Sequence, residues 1–173
     1  VTFVNKLDRE VREPVEIMDE IEDILQIHCA PMNWPLGMGR QFRGVYDLVR
    51  DRIVCFEHGH GHHIHDYPVI QGLDSAPARA WLGSDYEDRV AEIELIRGAS
   101  HAFDLDDYRA GTLTPVYFGT ALGNFGVREM LDGLKETHPA LVDDVVPGKL
   151  SLGVVHRVLQ RLLRPALVVV AGA

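Results

Sequence analysis

Thr114-Pro115-Val116-Tyr117-Phe118-Gly119-Thr120-Ala121-Leu122-Gly123-Asn124-Phe125-Gly126-Val127 is the stretch on which the fold turns. It begins as a short apolar run of β-branched and aromatic residues, the composition of a buried strand, and empties into a loop punctuated by glycine. Residues 127–134 then read as a helix. The chain opens with the same order. Thr2, Phe3 and Val4 form a β-rich run, and Asn5-Lys6-Leu7-Asp8 is the polar loop that follows it. From Pro14, a good first helical residue, Ile17, Met18, Ile21, Ile24 and Leu25 recur at helical spacing to about His28. Glu16, Asp19, Glu20, Glu22 and Asp23 decorate the opposite, solvated face. Two strand, loop, helix units side by side in a mainly parallel sheet, with ligand loops at the carboxyl ends of the strands, predict a doubly wound α/β fold.

Between the two units lies a stretch of different character. After Pro31, Trp34, Pro35, Gly37 and Gly39, residues 42–48 and 53–56 flank Arg50-Asp51-Arg52 and predict a β-hairpin, with a third extended piece over 62–70. Residues 77–97 return to helical spacing with Trp81, Leu82, Val90, Ile93 and Ile96 as the buried set, and 104–110 reads as a further helical turn. The expected organisation is 1–29 as the first strand, loop and helix, 30–113 as an inserted α+β subdomain, 114–138 as the second strand, loop and helix, and 139–173 as an atypical tail. The opening Val1-Thr2-Phe3-Val4 reads as a cut inside a domain, which would leave an open strand edge and poor solubility.

Composition narrows the function classes. With 173 residues, 46% hydrophobic and 25% charged, the chain is globular. Cys29 and Cys55 form no disulfide framework and read as small buried hydrophobes in a reducing compartment. The longest apolar run, 166–173, is far short of the roughly 20 residues that cross a bilayer, so no membrane partner is expected. The net charge of −9 argues against a dedicated nucleic-acid surface, and no direct DNA binding is expected. Residues 147–173 hold Lys149, Arg157, Arg161 and Arg164 with no acid, so the net −9 divides into +4 there and −13 on the rest. A helix over 154–164 would carry those arginines on one side.

Asn5-Lys6-Leu7-Asp8 has the N-K-x-D arrangement that reads guanine. Asp8 can accept two hydrogen bonds, from N1–H and the exocyclic N2 of the purine, an edge that adenine does not offer. The Asn5 amide can serve both the base and the neighbouring loops, and the stem of Lys6 can lie over the flat ring. Gly119, Thr120 and Ala121 would let a backbone N–H approach the base oxygen from the next strand.

On these residues the chain resembles the peptide chain release factor 3 family of translational GTPases, relatives of elongation factor G, over residues 1–134. The resemblance rests on Phe3-Val4-Asn5-Lys6-Leu7-Asp8, on Ile27-His28-Cys29-Ala30-Pro31 with Trp34-Pro35-Leu36-Gly37, on Phe42-Arg43-Gly44-Val45-Tyr46, on Gly98-Ala99-Ser100, and above all on residues 114–127. It implies the carboxyl-terminal half of a P-loop GTPase G domain with an insertion between its fourth and fifth motifs. Asn5, Lys6 and Asp8 then correspond to the fourth guanine-nucleotide motif, and Thr120, Ala121 and Leu122 to the fifth. It implies further a cytoplasmic bacterial protein that binds GTP and GDP, with Mg2+ in the intact protein, and acts in translation termination, recycling class 1 release factors from the ribosome. A related elongation-type GTPase, or a non-enzymatic interaction module that has lost nucleotide binding, are the alternatives.

Other features point elsewhere or nowhere. The phosphate-cradling G-x-x-x-x-G-K-[ST] loop does not occur in the 173 residues, since Gly148-Lys149-Leu150 has neither the first glycine at the right spacing nor the hydroxyl. No catalytic residue is therefore assigned, and this polypeptide alone is expected not to hydrolyse GTP. The imidazole-rich tract His58-Gly59-His60-Gly61-His62-His63-Ile64-His65 reads as an exposed polar loop, and no metal site is expected there. Ser100, His101 and Asp104 lack a nucleophile elbow, and Ser100 reads as a cap of the following turn.

Overall fold

The computed structural model describes residues 1–9, 12–56, 67–120, 125–137 and 168–171. The opening run forms β1 (Thr2–Asn5), and Pro14 starts α1 (Pro14–Leu25), where a missing N–H costs nothing in the first turn. This helix buries Pro14, Ile17, Met18 and Ile21, whereas Ile24 and Leu25 are exposed. It also ends earlier than its periodicity suggests. Gln26 adopts the left-handed conformation at φ 55° and its N–H bonds to the Glu22 carbonyl, which closes the helix and frees His28 to begin β2 (His28–Pro31).

The middle of the chain builds an antiparallel sheet from β3 (Asn33–Leu36), β4 (Gly44–Asp47), β5 (Arg52–Cys55) and β6 (Val69–Gln71), in that spatial order. Pro35 is accommodated because β3 is an edge strand, where a missing donor breaks no ladder on the open side. The expected hairpin is β4 and β5, paired Gly44 to Cys55 and Asp47 to Arg52. Its turn is organised by Asp47, whose carboxylate accepts from the N–H groups of Val49 and Arg50 and pairs with Arg52 at 3.0 Å. Of the third extended piece expected over 62–70, residues 62–66 lie outside the described set and its end enters β6.

Helices then cover this sheet. The single stretch expected over 77–97 is two helices, α2 (Ala76–Leu82) and α3 (Tyr86–Ala99), parted at Gly83, whose φ of 62° a helix cannot continue. Ser75 caps α2 by accepting from the Ala78 N–H, and Trp34 on β3 reaches Glu92 on α3 at 2.9 Å. α4 (Leu105–Ala110) leads to β7 (Leu113–Phe118) and α5 (Val127–Thr137) closes the second unit.

β2, β7, β1 and β8 (Val168–Ala171) form one parallel sheet in that order. Thr2, Phe3 and Val4 lie opposite Val116, Tyr117 and Phe118, and His28 opposite Leu113. β2 therefore straddles the boundary placed at residue 30. The edge expected to be open beside the first strand carries β8, which pairs Thr2 with Val168 and Asn5 with Ala171. β8 belongs to the tail; a helix over 154–164 falls outside the described residues. The protein is thus a mixed α/β molecule with one parallel and one antiparallel sheet. A continuous core joins them, running from Val4, Leu7 and Ile17 through Trp34, Phe42 and Tyr46 to Phe118 and Phe125. Each such fully buried side chain contributes roughly 1.5–3 kcal/mol. No helix of the described residues is long and apolar enough to cross a membrane.

Candidate functional site

β1 and β7 run parallel and adjacent, so the loops that leave their carboxyl ends emerge together. In the first loop, the Asn5 side-chain oxygen accepts from the Lys6 N–H at 2.7 Å. Lys6 itself has φ 73°, a left-handed conformation that costs a residue with a β-carbon about 1–2 kcal/mol. Such strain persists only where the surroundings over-determine it. Here they do. Leu7, 0% exposed, is driven into the core; its N–H reaches the Gly119 carbonyl at 3.4 Å, and its carbonyl accepts from Gly39 at 2.9 Å. The Arg9 N–H closes the turn on the Lys6 carbonyl at 3.0 Å.

The second loop is shaped by glycine. A β-carbon on Gly119 would fall 2.4 Å from the Phe125 carbonyl oxygen and 3.0 Å from the Phe3 ring, so the folding of this loop back on itself and against β1 requires its absence. Gly119 N–H bonds to the Val4 carbonyl at 3.0 Å, and Thr120 N–H to the Phe125 carbonyl at 3.0 Å. Phe125 is fully buried against Phe42, Phe56 and Tyr67, edge to face at ring separations of 5.6, 5.1 and 4.8 Å. Phe42 precedes β4, Phe56 follows β5 and Tyr67 precedes β6, so the antiparallel sheet buttresses the loop that follows β7.

The loops are tied directly. Thr120 Oγ1 donates to Asp8 Oδ1 at 2.6 Å. Of the residues singled out by sequence, Asn5, Lys6, Asp8 and Thr120 are thereby brought into one corner, with Asp8 half-buried and Thr120 buried. Ala121 and Leu122 lie outside the described residues, as does the histidine tract 58–65. The cap assigned to Ser100 is corrected: Asp104 caps α4, accepting from the N–H groups of Asp106 and Asp107 at 2.9 and 3.0 Å, while Ser100 ends α3. His101 stacks instead on His28, ring centroids 4.0 Å apart. Both cysteines are buried and unbridged. Burial, with the carboxylates of Glu22 and Asp19 adding to it, pushes the Cys29 thiol up to about 12, which removes it as a nucleophile.

Two groups escaped sequence reasoning. Asn33 is buried and fully engaged with the Phe118 backbone, and its partner lies too far along the chain for any local pattern to signal. Glu129, in the first turn of α5, is a buried carboxyl. Burial raises its pKa above the usual value; the Asp47 and Asp132 carboxylates act in the same direction, and Arg52 opposes them.

No protein-family model matches the chain. Among solved structures, it is similar to the crystal structure of a protein from Thermus thermophilus at a TM-score of 0.49 and 17% identity, over 82% of this chain and 22% of that one. The chain thus spans about a fifth of that protein's length.

Proposed function

We propose that the chain is the guanine-nucleotide-binding part of a translational GTPase, the carboxyl-terminal half of a G domain, with its base-reading corner at Asn5, Lys6, Asp8 and Thr120. Ala121 and Leu122 complete that corner by resemblance. The observation that carries the reading is the 2.6 Å hydrogen bond from Thr120 to Asp8 across neighbouring parallel strands. A carboxylate oxygen has two lone pairs, so a hydroxyl on Oδ1 orients Asp8 and still leaves acceptor capacity for the N1–H and N2–H of guanine. Adenine presents no such pair of donors, and the mismatch leaves a desolvated carboxylate unsatisfied. The strained turn at Lys6, over-determined by its neighbours, fixes the backbone that presents Asp8.

GTP and GDP are the ligands of this reading, and the intact protein would supply phosphate-binding and Mg2+-binding elements that these 173 residues do not contain. Release of class 1 release factors from the ribosome, in the cytoplasm, is the role that the resemblance adds. Titration of the chain with a fluorescent GDP in excess ATP tests the reading. Saturable binding that unlabelled GDP displaces, that ATP leaves untouched and that Asp8→Asn weakens at least tenfold is the expected result. Indifference to GDP at millimolar concentration sinks it.

A second reading has one observation in its favour. Asp8 is already engaged by Thr120, and Leu7 by Gly119 and Gly39, so the same stitching serves an interaction module whose corner is purely structural. In that case Asp8→Asn lowers stability and no GDP binds.

A further inference from the structure

Glu22, His28 and His101 come from three separate elements: the last turn of α1, the first residue of β2, and the connection between α3 and α4. One potential ligand atom from each lies within 4.8 Å of the other two. The two imidazoles are exposed and in contact, with centroids 4.0 Å apart and planes inclined at 36°. The backbone sets this meeting. The left-handed turn at Gln26 folds β2 back beside the end of α1, the His28 N–H is pinned to the Thr112 carbonyl at 2.8 Å, and Glu22 Oε1 accepts from the Cys29 N–H at 2.6 Å.

We propose that Glu22, His28 and His101 form a binding site for a borderline transition-metal dication, Zn2+ being the probe of choice, with water in the remaining position. The donor set decides the ion class. Two imidazole nitrogens and one carboxylate oxygen suit Zn2+, whereas Mg2+ and Ca2+ take oxygen ligands. Bonds of about 2.0–2.2 Å in tetrahedral geometry set ligand atoms about 3.4 Å apart. The ligand atoms lie within 4.8 Å of one another, so binding an ion would draw them closer, and the two imidazoles that would turn are both exposed. The Cys29 N–H on Glu22 is the kind of outer hydrogen bond that orients a ligating carboxylate and leaves its second oxygen for the ion.

The site is separate from the nucleotide corner. His28 pairs with Leu113 at the start of β7, while Thr120 follows its end, so the two lie at opposite ends of the parallel sheet. An ion there clips the α1–β2 turn to the segment that returns from the α-helical cover of the antiparallel sheet into β7.

The test uses the full chain with His58, His60, His62, His63 and His65 replaced by alanine, which removes the competing imidazole tract. Calorimetric titration with Zn2+ against a chelator, and Co2+ absorption in the visible, are read for this background, for His101→Ala, and for Glu22→Gln, whose amide still accepts from Cys29. The background is expected to bind one equivalent, to show the intense bands of four-coordinate Co2+ and to melt at a higher temperature with Zn2+. Both variants should lose the bands and bind at least tenfold more weakly, while keeping the metal-free melting temperature. Absence of binding in the background, or undiminished affinity in His101→Ala and Glu22→Gln, overturns the proposal.

Discussion

Asn33 and Phe118 exchange two hydrogen bonds: the Asn33 amide donates to the Phe118 carbonyl at 3.0 Å, and the Phe118 N–H donates to the Asn33 side-chain oxygen at 2.7 Å. An amide side chain here does what a neighbouring strand would do for the end of β7. Because Phe118 immediately precedes Gly119, the antiparallel sheet reaches the loop after β7 through this amide as well as through the aromatic packing on Phe125.

Asn33→Ala strands a buried N–H and a buried carbonyl. Each unsatisfied group costs about 1–3 kcal/mol, so the variant should lose about 2–6 kcal/mol in urea denaturation, with the midpoint falling and the slope unchanged. A loss below about 0.5 kcal/mol would mean that something else satisfies Phe118.

At Lys6 the diagnostic is a sign. Elsewhere in a chain glycine is less stable than alanine by about 0.5–1 kcal/mol, because it loses more freedom on folding. In the left-handed conformation of Lys6 the steric cost falls only on the residue with a β-carbon. Lys6→Gly is therefore expected to equal or exceed Lys6→Ala in thermal stability, although on the proposed function both would lose the stem over the base and both should weaken GDP binding. Should alanine prove the more stable, the loop does not hold that turn.

Much of this architecture is legible in the residues themselves, and the failures have local causes. The strand, loop, helix order at each end and the hairpin around Asp51 follow from short-range pattern, and the structure has them. His28–Pro31 escapes because Ile27 and His28 continue the helical spacing and Pro31 discourages a strand, whereas Gln26 ends the helix by a conformation that its side chain does not announce. Asn33–Leu36 escapes because Pro35 is tolerated only on an edge, and edges are a tertiary property. Gly83 is a readable break in 77–97, outweighed by the periodicity on either side. At the corner, the sequence places Asp8 and Thr120 each after its own strand, but their mutual hydrogen bond depends on pairing across 112 residues. The same holds for Glu22, His28 and His101.

Thr120→Val keeps the shape and β-branching and removes only the hydroxyl that holds Asp8. A hydrogen bond to a charged group is worth about 1.5–3 kcal/mol, and the partial exposure of Asp8 reduces this to about 1–2 kcal/mol of stability. Thr120→Ser restores the donor and should fall within about 0.5 kcal/mol of the parent. GDP affinity should follow the same order, parent and serine above valine, in the fluorescent titration. Equal affinity in all three would detach Thr120 from nucleotide binding.

Glu129 gives the fold a pH dependence of defined sign. Its side chain is buried, and burial holds the folded carboxyl's pKa above the ordinary 4.5, against the favourable field of the helix amino terminus it occupies. The folded state thus keeps a proton that the unfolded state has released, so the stabilisation is complete below 4.5 and is lost as pH rises through the raised folded value. Each pH unit inside that window costs at most about 1.4 kcal/mol. Glu129→Gln is neutral throughout and should gain on the parent as pH rises across the window, in urea denaturation at fixed ionic strength. A stability difference between the two that is the same at about pH 4 and about pH 7 would show that Glu129 ionises in the folded protein as readily as in the unfolded chain.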